Sequence, residues 1–304
     1  MFLSKKKEKW VIQRNRSLQG VLVGGDISKN AAADYFYREA MDKESMRFIE
    51  ALYRDTKKVY ATIKVENASK PRKPSTASVR FILNKYKGEK LKIFLKNSEK
   101  IIKKWLRMAR QSSDKNIKKL LSEMAGKQIT IEYDKSYDEM LKLKIKQNIQ
   151  LIKNCTEQTL TNVENIVYDA MTSGQGWAQI EQTLQIQKDI DKNRIKLIAR
   201  DQTAKTNAAL NELGQREAGI KYYMWRTAQD ERVRSSHREL NSKIYKWGDV
   251  LERQPIIAIS HGKEVHGYPA QAVNCRCIAR PVWILNGYKA EWNENSRSYE
   301  VVRE

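Results

Sequence analysis

The residues best equipped for chemistry gather in one stretch, Trp225 to Cys277. It contains all three histidines of the chain and two of its three cysteines. Cys275 and Cys277 flank Arg276, and in an extended segment side chains at i and i+2 face the same way. Both sulfurs then meet one ion, with His237 as the natural third ligand and His261, His266 or Asp230 as a fourth. Zinc accepts such cysteine and histidine mixtures, and its binding helps a small domain to fold. The plainer account is a pair of core thiols, because buried free cysteines behave as small apolar residues. The Cys-x-Cys spacing leaves both readings open. Cys155, inside a polar helical run, reads as structural.

Asp230, Arg232, Arg234 and His237 lie within eight residues. In a short helix this run is an N-terminal acid followed by stabilising charge pairs. The same residues also suit an acid–base site, with His237 moving the proton and Arg232 or Arg234 stabilising an anionic transition state. A nuclease centred on His237 is therefore the alternative function. Against it, the sequence marks no second base, no nucleophile and no carboxylate cluster for magnesium. There is also no Gly-rich phosphate loop, HExxH or GxSxG. The expectation is a protein that is not an enzyme.

The elements that must position this block are long and basic. The chain has 304 residues and a formal charge of +22, with only 13 Gly and 5 Pro. So few turn-formers favour long helices over many-stranded sheets. A charge surplus of this size calls for an anionic partner; nucleic acid, taken as non-specific double-stranded DNA, is the commonest candidate and a membrane surface the rival. No apolar run of signal or spanning length follows the basic start, so no membrane anchor is expected. Three cysteines, two of them one residue apart, make no disulfide framework, which fits a reducing cytoplasm.

Residues 1–29 read as a basic, irregular arm. Residues 30–189 read as an elongated helical region, opened by Ser28 or Asn30 as cap and interrupted by a proline-containing linker at 68–75. Tyr37, Met41, Phe48, Leu52, Val59 and Ile63 form the apolar stripe of its first helix, and Leu91, Phe94, Leu95, Ile102, Trp105, Leu106 and Ala109 that of its second. From Lys85 to Lys119 there are 13 basic residues against 3 acids. A face this one-sided suits phosphate contacts, and Lys96, Lys100, Lys103, Lys104, Arg107, Arg110, Lys118 and Lys119 are the expected DNA-binding set.

A strand-like break at Lys127–Tyr133 precedes another helix from Tyr137 to Met171, ended by Gly174 and Gly176. A short helix starts at Trp177, and Asp191 caps a long one that Gly219 stops. Ile195, Ile198, Gln202, Thr206, Ala209 and Leu213 would be its inward positions. So polar a face should pack against hydrogen-bonding groups. After Gly219 come an aromatic strand, the short Asp230 helix, a second strand and a final strand through "NCRCIARPVW". Residues 190–285 therefore read as a small α+β domain, and 286–304 as a polar, peripheral tail. The fold class is α+β, mainly α.

These motifs, in this order, resemble the phage Mu F-like minor head proteins, the phage head morphogenesis family. The resemblance rests on Arg200 and Thr203, Gly219, Trp225, Asp230 and Arg232, His237, and the closing Asn274, Cys275, Arg276 and Cys277. It covers roughly the last third of the chain. Some members carry a cysteine pair after the Asp-x-Arg step. Here Arg234 takes the first of those places and His237 the second, and Ala272 stands where some members have a histidine. His237 keeps ligand chemistry, whereas Arg234 and Ala272 leave a metal site short of donors. Some relatives carry fused toxin or enzyme domains, and no such domain is expected here. The resemblance implies a minor capsid protein made in the host bacterial cytoplasm and carried in the virion head interior. It would act in head morphogenesis, with portal protein and other capsid or scaffold proteins as partners, in association with packaged DNA or its delivery by ejection.

Overall fold

The computed structural model describes residues 19–27, 30–62, 76–133, 135–173 and 175–304. Residues 1–18, the Ser28 cap, the 68–75 linker and Gly174 lie outside the described residues. The elements are strand β1 (Val21–Val23), helix α1 (Ala31–Thr62), α2 (Thr76–Lys85), a π-helical turn (Tyr86–Lys90), α3 (Leu91–Ala125), α4 (Lys135–Thr172) and α5 (Trp177–Glu217). Then come β2 (Tyr222–Arg226), α6 (Ser235–Leu240), β3 (Ile244–Lys246), a 3-10 turn (Leu251–Arg253), β4 (Ile256–Ser260), β5 (Lys263–His266), β6 (Ile278–Ile284), β7 (Tyr288–Asn293) and β8 (Ser298–Arg303). The chain divides into two compact units, one made of residues 32–106 and 141–200, the other of 1–31, 107–140 and 201–304.

The first unit is helical. The stripe expected on α1 is buried at Tyr37, Met41, Phe48 and Leu52, and that on α3 at Leu91, Phe94, Ile102, Trp105 and Leu106; Val59 and Leu95 are half-buried, and Ile63 lies outside the described residues. The two meet through rings: Tyr37 stacks on Trp105 with centroids 4.3 Å apart, and Phe48 tilts against Phe94 at 5.0 Å. Such pairs add about 0.5–1.5 kcal/mol to the burial itself. The polar ends find partners too. Tyr37 donates to Asn148 Oδ1 at 2.9 Å, and Tyr86 to Asp55 Oδ2 at 2.8 Å.

Asp191 does not cap a helix. It lies inside α5, which runs unbroken from Trp177 through the expected boundary at 190. Its carboxylate is buried and accepts from Gln187 Nε2 at 3.0 Å. A side chain held by a residue one turn back has no reason to start a helix. Burial raises its pKa above the usual aspartate value, opposed by hydrogen bonds from Thr159 and Gln187.

The second unit is built on a six-stranded antiparallel sheet in the order β1-β6-β2-β3-β8-β7, with β4 and β5 as a separate hairpin. Ile117, Leu121 and Met124 of α3 pack with Leu22, Ile131, Ile220 and Leu285 into one core cluster. Gly214 of α5 sits where an added Cβ would lie 2.4 Å from Ile117 Cδ1, so a larger residue there would force the Ile117 side chain to move. Gly219 has φ +78 and ends α5 as expected. Its N–H donates to Arg216 O and that of Ile220 to Gln215 O, both at 2.9 Å, the hydrogen-bond pattern of a Schellman cap.

Three further expectations change here. Within the supposedly irregular arm, Val21–Val23 is an edge strand in register with Val282–Ile284, because three successive apolar residues can pair there and bury. Lys127–Tyr133 is not a strand: Ile129 N–H donates to Ser122 Oγ at 2.9 Å, while Ile131 fills the core. Residues 286–304 are not a peripheral tail. They form β7 and β8, and Tyr299 pairs with Ile244 and is buried against Trp292.

The inward face of α5 is rotated from the expected one. Gln202 and Thr206 are buried, joined by Ala199, Thr203, Leu210, Asn211 and Gln215; Ile195, Ile198, Ala209 and Leu213 are only half-buried. The polar residues win because β6 offers an acceptor. Asn211 Nδ2 and Gln215 Nε2 both donate to the Ala279 carbonyl, at 2.9 and 3.1 Å, and Trp247 Nε1 donates to Gln215 Oε1 at 3.1 Å.

Candidate metal centre

The site is assembled by the segments before α6 and β6. Asp230 begins the turn into α6: its carboxylate accepts from Arg232 N–H at 3.2 Å and pairs with the Arg276 guanidinium. Arg276, followed by Arg232, holds the Asp230 carboxyl well below the usual carboxylate range. Four residues on, Arg234 donates to the Val273 carbonyl at 2.8 Å. These two ties lay the 273–277 segment along the start of α6. Asn274, at φ +56, turns that segment, and its N–H donates to Asp201 Oδ1 at 2.7 Å.

The result brings His237, Cys275 and Cys277 together, with their donor atoms all within 4.8 Å of one another. His237 Nδ1 lies 3.5 Å from Cys275 Sγ and 3.6 Å from Cys277 Sγ. Nε2 faces the Ile257 carbonyl of β4 at 2.9 Å, so it carries a proton; Nδ1 faces the sulfurs, and in the neutral ring it is a lone pair. Cys277 N–H points at Cys275 Sγ across 3.4 Å. All three side chains are buried in a cluster with Trp225, Leu240, Ile257 and Ala279. The Trp225 ring meets the imidazole edge-on at 5.5 Å.

A hydrogen bond from Cys277, with His237 adding to it, draws the Cys275 thiol well below its ordinary pKa. Cys277 is pushed up by its bond to Cys275 and by burial. His237 is raised, chiefly by Cys275. The trio thus favours one thiolate over two when nothing but protons balances it.

The other ligands expected from sequence are elsewhere. Asp230 is committed to Arg276 and Arg232. His261 is exposed beside Ser260, and His266 Nδ1 bonds the Gln254 carbonyl at 3.0 Å. The nuclease alternative also loses its base: His237 is 2% exposed, with one nitrogen on a backbone carbonyl and the other on the sulfurs. A buried imidazole so engaged does not reach a nucleic-acid phosphate. Three contributors were missed: the Ile257 carbonyl, which fixes the tautomer, and the Asn211–Gln215 pair, which anchors β6. A backbone carbonyl leaves no trace in sequence, and Asn211 and Gln215 lay outside the face expected to be inward.

Of the expected DNA-binding residues, Lys96, Lys100, Lys103, Lys104, Arg107 and Lys119 are exposed, and Lys118 and Arg110 half-buried. Arg110 is matched locally: it bonds Asp138 at 3.0 Å and lies 4.5 Å over the Tyr137 ring. Lys103 pairs with Glu99, and Lys104 sits over Phe36 at 4.7 Å. Of the family-motif positions, Thr203 is buried on α5, and Arg200 lines a separate cleft of the helical unit with Tyr35 and Asp42.

Comparison with known proteins finds partial matches to this chain. The chain is 40% identical over 139 residues to an uncharacterized protein of Haemophilus influenzae, an alignment covering 44% of this chain and 28% of that protein. It is 25% identical over 150 residues to the NAD(+)--arginine ADP-ribosyltransferase EFV of Enterococcus faecalis, covering 48% of this chain and 30% of that one. The chain thus matches under a third of the length of either relative. No solved structure matches it. Residues 161–280 match the family model described as Phage Mu protein F like protein, a span that runs from within α4 into β6 and includes His237, Cys275 and Cys277. Over that segment, the chain is similar to the Phage Mu protein F-like family.

Proposed function

We propose that this protein is a phage minor head protein acting in head morphogenesis, positioned at the portal and in contact with packaged DNA. The observation that carries this reading is the Mu F-like match across the segment that holds the buried His–Cys cluster and its supports. The charge of +22 supports the DNA part, because lysine-to-phosphate contacts bind without regard to sequence. Lys96, Lys100, Lys103 and Lys104 recur along one helix at spacings of four, three and one, which keeps them on one side. They are exposed, as a phosphate-facing surface requires.

The test is a salt titration of DNA binding with the full chain. Affinity for unrelated duplexes should be equal and should fall steeply with salt. Replacing Lys96, Lys100, Lys103 and Lys104 by Gln should reduce the log–log slope by about three to four, at roughly 0.9 per phosphate contact. An unchanged slope would remove this face from the interface, and salt-independent binding would remove the DNA reading. Portal association is checked separately by co-purification with a co-expressed phage portal protein.

A further inference from the structure

We propose that His237, Cys275 and Cys277 bind one zinc ion as a structural cross-link, an assignment independent of the head-protein reading. The geometry carries it. In a tetrahedral site with zinc–nitrogen near 2.05 Å and zinc–sulfur near 2.3 Å, the nitrogen–sulfur edge is about 3.6 Å. The two edges here are 3.5 and 3.6 Å. A thiol hydrogen bond has a similar length, but one bond accounts for only one of them. His237 Nδ1 has a single lone pair, its other nitrogen being committed to Ile257 O. Two sulfurs at equal range of one lone pair describe an apex that an ion fills and one proton does not.

The surroundings agree with the chemistry of zinc. A ligating imidazole usually donates its other N–H to a carbonyl or carboxylate, and Ile257 O is that acceptor. A thiolate ligand gains from a backbone N–H, and Cys277 N provides one to Cys275 Sγ. Two thiolates in an apolar cluster are costly, and a dication cancels their charge. Among the described residues, the donor cluster holds these three protein ligands. Binding displaces the two protons shared among His237 Nδ1 and the two sulfurs, with no redox change. The ion would join α6 to the lead-in of β6, while the Ile257 bond adds β4, and so fasten the 241–274 segment to the sheet.

The experiment uses the full chain, stripped with chelator under reducing conditions, dialysed and titrated with Zn2+ alone. Roughly one zinc per chain should be retained through dialysis, and Co2+ in its place should give the thiolate-to-cobalt charge-transfer absorption. Chelation should lower the melting midpoint by about 5–15 °C, and zinc should restore it. Cys277→Ser and His237→Asn should each abolish retention. If those variants fail to fold, the cobalt spectrum of the unaltered chain decides. A folded, reduced chain that retains under roughly a tenth of a zinc ion and gives no thiolate–cobalt band overturns the proposal. So does a Cys275–Cys277 disulfide that survives the reductant.

Discussion

Gln215→Met should be among the most damaging single changes in the sheet-bearing unit, although it swaps a polar for an apolar side chain of similar size in a buried place. The side chain is fully buried and makes three hydrogen bonds. It donates to Asn211 Oδ1 at 2.8 Å and to Ala279 O at 3.1 Å, and accepts from Trp247 Nε1 at 3.1 Å. Methionine fits the volume but replaces none of them. Ala279 O keeps its bond from Asn211, so the loss centres on two groups, the Trp247 indole N–H and Asn211 Oδ1. A buried group left without a partner costs about 1–3 kcal/mol, giving roughly 2–5 kcal/mol in all after partial relaxation. Urea unfolding followed by tryptophan fluorescence measures it. Trp247→Phe should remove the same bond from the other side, so the double variant should cost less than the sum by about 1 kcal/mol or more. A Gln215→Met cost below about 0.5 kcal/mol, or strict additivity with Trp247→Phe, would refute the claim that this polar pair anchors β6.

Asp191→Asn should flatten a pH dependence. A carboxyl whose pKa is raised by burial contributes stability that is present below the ordinary aspartate value and is lost as pH rises through its raised value. The variant keeps an acceptor for Gln187 and should melt higher than the parent at neutral pH; parallel melting curves across pH would contradict this. Gly219→Ala should cost about 1–2 kcal/mol, since its φ of +78 excludes a Cβ on backbone grounds while the space around it is open. Gly214→Ala tests the opposite cause: its φ is ordinary and the obstruction is Ile117, so Ile117→Val should relieve part of its cost.

The local elements were legible where a periodic pattern and a chain-breaking residue agreed. The stripes of α1 and α3, the stop at Gly219 and the strand Tyr222–Arg226 are all of this kind. Residue types also marked His237, Cys275 and Cys277 as one group, because rare donor chemistry gathers in few places. Pairing was another matter. Val21–Val23 becomes a strand by meeting β6, and 286–304 joins the sheet by meeting β3, at sequence separations that no local pattern encodes. Asp191 looked like a cap because capping is a local preference; it lies inside α5 because Gln187 and the buried surroundings hold it there. By itself, then, the sequence determined the helical, basic character of this protein and the identity of its three soft donors. Only the tertiary structure decided that Asp230 belongs to Arg276, that Ile257 fixes the imidazole tautomer, and that both sulfurs face one lone pair. The physical reason is that helices follow from neighbours in the chain, whereas a buried site follows from which distant groups share the same few ångströms.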